Sequence, residues 1–188
     1  MFQIRWIAIP VAAAAVLLGG CASPARVDQM RAETGMAART AAQNSPLKAN
    51  VAIKDVTGGQ ETNPMWKSNV SSSDFERALE ASLRDAGLLS QNRQAGTHQL
   101  IAHMQNLDQP FAGASMTVTA TVKYSLIERA SGKEVFSRSM ATPYTAAWNS
   151  AFVGAERLRL ANEGAVRENL KRLIEDLSAL PAGSISVK

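Results

Sequence analysis

One cysteine and two histidines are all that this 188-residue chain supplies of the side chains that most often grip metals or do nucleophilic work. A lone Cys21 cannot close an intrachain disulfide, so the fold has to hold by burial alone. His98 and His103 stand five positions apart in one strand-patterned stretch. An odd separation sends them to opposite faces, which bars a shared metal ion unless a bulge intervenes. No Gly-x-Ser-x-Gly elbow and no acyltransferase-type hexapeptide repeat occurs, and Gly58-Gly59 runs into Gln60-Glu61-Thr62 rather than a phosphate-cradling helix start. Asp55, Glu61 and Asp108 fall at strand ends or in loops, where carboxylates are ordinarily solvated. The expectation is a noncatalytic chain with no metal and no cofactor. Charge is also scarce: 20 basic against 16 acidic residues leaves a net of +4, too mild to argue for nucleic acid.

What is present begins at the amino terminus. Arg5 and the free amine make a short cationic head, and an apolar run from Trp6 to Leu18 follows, interrupted only by Pro10. The run is shorter than the roughly 20 residues a membrane span needs and reads as a secretory leader. It ends in Leu17-Leu18-Gly19-Gly20-Cys21, which resembles the lipobox of bacterial lipoproteins. In that motif the cysteine sulfur takes a diacylglycerol, the leader is cut before it, here between Gly20 and Cys21, and the new amine is acylated. The small side chains of Gly19 and Gly20 suit the peptidase, and a thiolate suits the lipid donor. Three acyl chains exceed the two signals that stable anchoring needs. Ala22, rather than Asp, follows the cysteine; by resemblance to enteric-type sorting this implies the outer membrane, with the domain facing the periplasm of a Gram-negative envelope.

Behind Cys21, residues 22–47 are rich in Ala, Arg, Gln and Ser, with only Val27, Met30 and Met36 as larger apolar side chains before Leu47. So little apolar surface predicts a flexible tether with at most a transient helix near 28–42, spanning roughly 30 Å as a coil. The organisation expected is therefore a signal peptide over 1–20, a lipidated N-terminus and tether over 21–47, and a single periplasmic domain over 48–188. In that domain Ala49, Val51 and Ile53 alternate against Asn50, Ala52 and Lys54, predicting a strand over 48–56. Residues 57–70 read as a loop. Ser73 and Glu76 form a capping box for a helix whose apolar positions are Phe75, Ala78, Leu79, Leu83 and Ala86, with Gly87 as its C-cap.

Residues 98–107 return to strand patterning, and 115–128 set Met116, Val118, Ala120, Val122, Tyr124 and Leu126 against Thr117, Thr119, Thr121, Lys123 and Ser125. A turn at Ala130-Ser131-Gly132-Lys133 leads to a strand over 134–145. A long helix over 155–180 follows, striped by Leu158, Val166, Leu170, Leu173, Ile174, Leu177 and Leu180, with Gly164 a point of weakness. The fold class predicted is α+β, a two-layer sandwich of order β-α-β-β-β-α. Its four-stranded mixed sheet carries two helices on one face and leaves the other open.

On that open face the Thr117, Thr119 and Thr121 row is a candidate partner contact. So are Trp66, beside Met65 in the first loop, and Phe111 in the Gly/Pro-containing connection 108–113. The alternative for both aromatics is that they plug an end of the core. Tyr144 and Trp148 are expected to cap it. The basic residues of the last helix, interleaved with Glu156, Glu163, Glu168, Glu175 and Asp176, read as a solvated face.

The lipobox, the run from Phe75 to Gly87-Leu88, and the closing helix from Glu163-Gly164-Ala165-Val166 to Leu177 resemble the YajG-like group of outer-membrane lipoproteins. The likeness covers about residues 48–180. It implies a membrane-anchored binding or assembly accessory in envelope maintenance with a protein partner, and it transfers no catalytic residue. The alternative kept beside it is a small-ligand or lipid carrier, which would need an apolar cavity of several hundred Å³ between sheet and helices.

Overall fold

The computed structural model describes residues 21–181, so the leader and Gly20 lie outside it. In chain order its elements are α1 (Val27–Met30), α2 (Met36–Asn44), β1 (Val51–Thr57), α3 (Ser72–Ala86), β2 (His98–Asp108), β3 (Met116–Glu128), β4 (Glu134–Ala146) and α4 (Gly154–Ser178). The four strands form one sheet in the order β1-β2-β3-β4. β1 runs parallel to β2, and β2, β3 and β4 form an antiparallel meander. This is the predicted α+β sandwich with an open sheet face.

β3 obeys its alternation throughout. Met116, Val118, Ala120, Val122, Tyr124 and Leu126 are buried under the helices, while the threonine row lies on the other face. β1 departs from its expected pattern: Ala52 is buried along with Val51 and Ile53, covered by the chain at Gly96, where an added Cβ would stand 2.9 Å from that of Ala52, and the register with β2 shifts between Ile53 and Asp55. Ala49 belongs to the preceding turn, with φ 52°.

The cap of α3 also lies two residues earlier than expected. Ser71, not Ser73, is the N-cap, and its Oγ accepts the Asp74 N–H at 3.1 Å. At the other end Gly87 adopts φ 78°, and the N–H groups of Gly87 and Leu88 donate to the carbonyls of Arg84 and Leu83 at 3.0 and 2.9 Å. Those two bonds are a Schellman motif, which needs the left-handed conformation glycine adopts freely.

α4 is one helix with no break at Gly164. A Cβ at this position would stand 2.2 Å from Cδ1 of Tyr144, so the glycine lets the β4 aromatic ring lie against the helix backbone. Deeper in the same interface, fully buried Asn169 makes the core's polar joint. Its Oδ1 accepts from the Tyr124 hydroxyl at 2.7 Å, and its Nδ2 donates to Met140 O at 2.9 Å and Thr142 Oγ1 at 3.0 Å. Burial pushes the Tyr124 hydroxyl well above its ordinary pKa.

The flexible tether expected over 21–47 is corrected by the structure. Residues 22–47 pack along the helical layer, where α1 lies against both α3 and α4, and α2 joins the same layer. Met30, Ala32, Ala42 and Leu47 are fully buried. Few large side chains are needed, because alanines let the backbone sit close in the groove and specific bonds fix it there. Ala32 N–H donates to Ser82 Oγ at 2.9 Å. Arg26 grips Glu163 through its backbone N–H at 2.9 Å and through Nε and Nη2 at 3.0 Å each. Glu163, expected on a solvated face, is therefore buried beneath the N-terminal segment, and the ion pair holds the Arg26 guanidinium above its usual pKa.

Candidate functional site

Strand directions sort the loops into two ends. β1, β2 and β4 finish, and β3 begins, at the same end of the sheet, since Asp108 pairs with Thr119 and Met116 with Ala146. The loops 58–70, 109–115 and 147–153 all leave from that end. Their tips carry Met65, Trp66, Phe111, Trp148 and Phe152, each exposed, with Phe111 and Phe152 wholly so. Trp148 was expected to cap the core and does not; of the expected pair only Tyr144 packs against it. Neither Trp66 nor Phe111 plugs the core.

These tips are held in place from behind. Asn63 folds the first loop into a tight turn, its Oδ1 accepting Met65 N–H at 3.0 Å and its carbonyl accepting from Trp66 and Lys67 at 3.1 and 3.0 Å. Buried Asn162 of α4 ties two loops together: its Nδ2 donates to Ser68 O at 2.9 Å, and its Oδ1 accepts from Gln109 Nε2 at 2.6 Å. Arg157 Nη1 donates to the carbonyls of Ala151 and Phe152 at 2.7 and 3.1 Å, fixing the third loop.

Cys21 is exposed at this same end. The next residue, Ala22, donates its N–H to Pro64 O at 2.8 Å, one residue before Met65. Ser68 Oγ donates to Ser23 O at 2.7 Å. The lipidation candidate and the apolar loop tips therefore share one end of the domain.

The open sheet face is a second surface. Thr117, Thr119 and Thr121 lie there, paired with Thr145, Pro143 and Ala141 of β4. On β2 their neighbours are Asp108 and Asn106, opposite Thr119 and Thr121. The result is a shallow plane of short side chains. β4 is an edge strand 13 residues long whose Pro143 suits an edge, having no N–H to offer a further strand.

His98 is buried with its Nδ1 2.9 Å from Thr97 Oγ1, while His103 is exposed on the open face with its Nδ1 2.9 Å from Thr57 Oγ1. Desolvation lowers the His98 pKa, against an opposing pull from Glu128. Among the described residues no group of three or more His, Cys, Asp or Glu is placed to hold a metal ion. Asp55, Glu61 and Asp108 are exposed.

Clefts occur around the rim of the two layers. One of about 310 Å³ is lined by Pro46, Ala95, Thr97, His98 and Arg129 at the end opposite Cys21. Another, about 540 Å³ and wide open, runs between Pro143 of β4 and Lys171 of α4. Between sheet and helices the space is occupied by fully buried Phe75, Leu79, Leu83, Leu100, Tyr124, Leu126, Leu170 and Leu173.

No protein-family model matches the chain, and no curated protein matches its sequence. Its fold has solved counterparts. Protein XCC0632 of the DUF330 family, from Xanthomonas campestris, superposes with a TM-score of 0.61 at 12% identity over 83% of this chain and 94% of its own. PelC from Paraburkholderia phytofirmans, solved as a dodecamer, gives 0.50 at 14% identity over 72% of this chain and 91% of its own. A minor lipoprotein from Acinetobacter baumannii gives 0.46 at 10% identity over 71% of this chain and 94% of its own. At such identities the likeness to the first two is one of fold.

Sequence reasoning missed the shared end. Trp66, Phe111, Trp148 and Phe152 are scattered through the chain, and only the strand directions gather them. One signal was readable beforehand: loops 109–115 and 147–153 contain no charged residue, in a chain that is 19% charged.

Proposed function

We propose that the chain is a lipoprotein, cut before Cys21 and acylated there, anchored in the outer membrane with its domain facing the periplasm. It acts there as a noncatalytic binding or assembly accessory in envelope maintenance. The observation that carries this reading is the sequence Leu17-Leu18-Gly19-Gly20-Cys21 followed at once by a folded domain on whose surface Cys21 is exposed. The open face supports the accessory role. Thr117, Thr119 and Thr121 offer a flat, hydrogen-bonding plane bordered by the free edge of β4, which suits docking of a protein surface or an added strand. The filled space between the layers and the spread of the titratable groups give less support to a carrier or an enzyme.

The test is crosslinking in intact cells followed by purification from detergent-solubilised envelopes. A discrete partner is expected, and Thr119→Arg together with Thr121→Arg should abolish it while leaving the circular dichroism spectrum and melting midpoint close to those of the parent. Repeated purification without a partner, or a partner indifferent to both substitutions, contradicts the accessory reading.

A further inference from the structure

Exposed apolar side chains gathered on one part of a surface usually mark a site that another phase or molecule covers, whereas single scattered ones do not. Here they are concentrated at the end of the domain where the described chain begins. Cys21 is exposed, and the chain behind it is tied down immediately by Ala22 to Pro64, Ser23 to Ser68, and Arg26 to Glu163. Acyl chains on that sulfur and amine would therefore enter the bilayer within a residue or two of Met65 and Trp66, with no spacer to let the domain drift away.

The chemistry of this end matches an interface. Loops 109–115 and 147–153 carry no charge to desolvate; in the first loop exposed Glu61 sits at the base, where its carbonyl accepts from Asn69, and exposed Lys67 stands beside Trp66, a cation that can reach lipid phosphates while its stem lies along the acyl boundary. Tryptophan favours the headgroup level, where its ring is half in hydrocarbon and its N–H can still find a partner. The opposite end differs. Its loops 87–97 and 129–133 contain Arg93, Arg129 and Lys133 and no aromatic residue.

We infer that the loop tips bearing Met65, Trp66, Phe111, Trp148 and Phe152 form a membrane-contacting surface that seats this end of the domain in the phospholipid interface beside the acylated Cys21. This rests on the lipoprotein reading for the position of the bilayer. It goes further by fixing orientation: the strands stand away from the membrane, the open face with Thr117, Thr119 and Thr121 is presented sideways, and the end with Arg93 and Arg129 points into the periplasm. Trp66 and Phe111 then serve the lipid rather than a protein partner.

The sequence provides its own probe. Of three tryptophans, Trp6 lies in the leader, so the processed chain retains only Trp66 and Trp148, both on this surface. The processed lipoprotein, as Trp66→Phe and as Trp148→Phe, is reconstituted into phosphatidylethanolamine/phosphatidylglycerol vesicles with and without brominated acyl chains. Emission of the remaining tryptophan should shift to the blue and fall at least twofold with brominated lipid, while aqueous iodide quenches it less than in detergent. Emission unchanged by bromine and fully open to iodide overturns the inference. So does a blue shift that grows with protein concentration but ignores bromine, which would mean a second copy covers the patch. Mass spectrometry of the N-terminal peptide reports lipidation separately, so a failed anchor and a failed loop surface give different results: bromine quenching without acylation upholds the surface, and acylation without quenching refutes it.

Discussion

Gly164→Ala sets two physical effects of opposite sign against each other. In an exposed helix interior the change stabilises by about 1 kcal/mol, because alanine has the higher helix propensity. In this structure the added methyl would lie 2.2 to 2.4 Å from three ring carbons of Tyr144, where ordinary contact begins at 3.4 Å. The ring cannot yield cheaply. It is rooted in β4, and the Arg167 guanidinium lies 5.4 Å from its centroid. Overpacking of this kind costs about 1–3 kcal/mol. An approach as short as 2.2 Å falls in the upper part of that range, about 2–3 kcal/mol, so after the gain of about 1 kcal/mol in propensity the expected net effect is a loss of about 1–2 kcal/mol. For a chain of this size that lowers the melting midpoint by roughly 2–8 °C. Thermal and urea unfolding followed by circular dichroism measure it. In a Tyr144→Ala background the clash is absent, and Gly164→Ala should stabilise by about 1 kcal/mol, the sign reversal reporting the contact itself. A rise in the midpoint from Gly164→Ala alone would refute the close approach of β4 and α4.

Three further outcomes follow from the same packing. Asn169→Leu strands the Tyr124 hydroxyl and the Met140 carbonyl in the core and should cost about 2–4 kcal/mol, with Tyr124→Phe in the same chain recovering part of the loss in a double-mutant cycle. Glu163→Gln removes the ion pair with Arg26, so hydrogen exchange should speed up at Met30 and Ala32 while Leu83 and Val122 keep their protection; unchanged exchange at Met30 would show that the N-terminal segment docks without it. His98 has its pKa lowered by burial, so the unfolded chain takes up a proton first as pH falls below about 6.5. Stability is therefore complete above that value and should decline toward pH 5.5, and His98→Gln should flatten that part of the midpoint-against-pH profile.

How much of this was legible beforehand follows from what each feature depends on. The alternation of β3 and the stripe of α4 are local patterns, and both elements formed where those patterns put them. The parallel pairing of β1 with β2 followed from a helix lying between them. The N-terminal segment was misread because its burial is not written in its own composition. Ala25, Ala32 and Ala42 are small enough to enter the groove between α3 and α4, a groove that exists only once those helices are packed. For the same reason Glu163 looked solvated: its partner Arg26 lies 137 positions away. Ser71 displaced Ser73 as N-cap: its Oγ accepts the Asp74 N–H and donates to the Asp74 carboxylate, while Glu76 pairs with Arg93 instead of closing a box. In the candidate surfaces the threonine row was readable from period two alone, whereas the clustering of Trp66, Phe111 and Trp148 needed the strand directions. Trp148, expected to cap the core, stands outside because α4 begins only at Gly154, leaving its loop beyond the end of both layers.

The central claim is that this domain is held to a membrane by lipid on Cys21. Mass spectrometry of the protein purified from sucrose-gradient outer-membrane fractions tests it most directly. The N-terminal peptide should begin at Cys21 and carry the added mass of a diacylglyceryl group and an amide-linked acyl chain, and Cys21→Ala should leave the leader uncut. A peptide that begins upstream of Cys21, or an unmodified Cys21 in a chain that still fractionates with the outer membrane, would contradict the account.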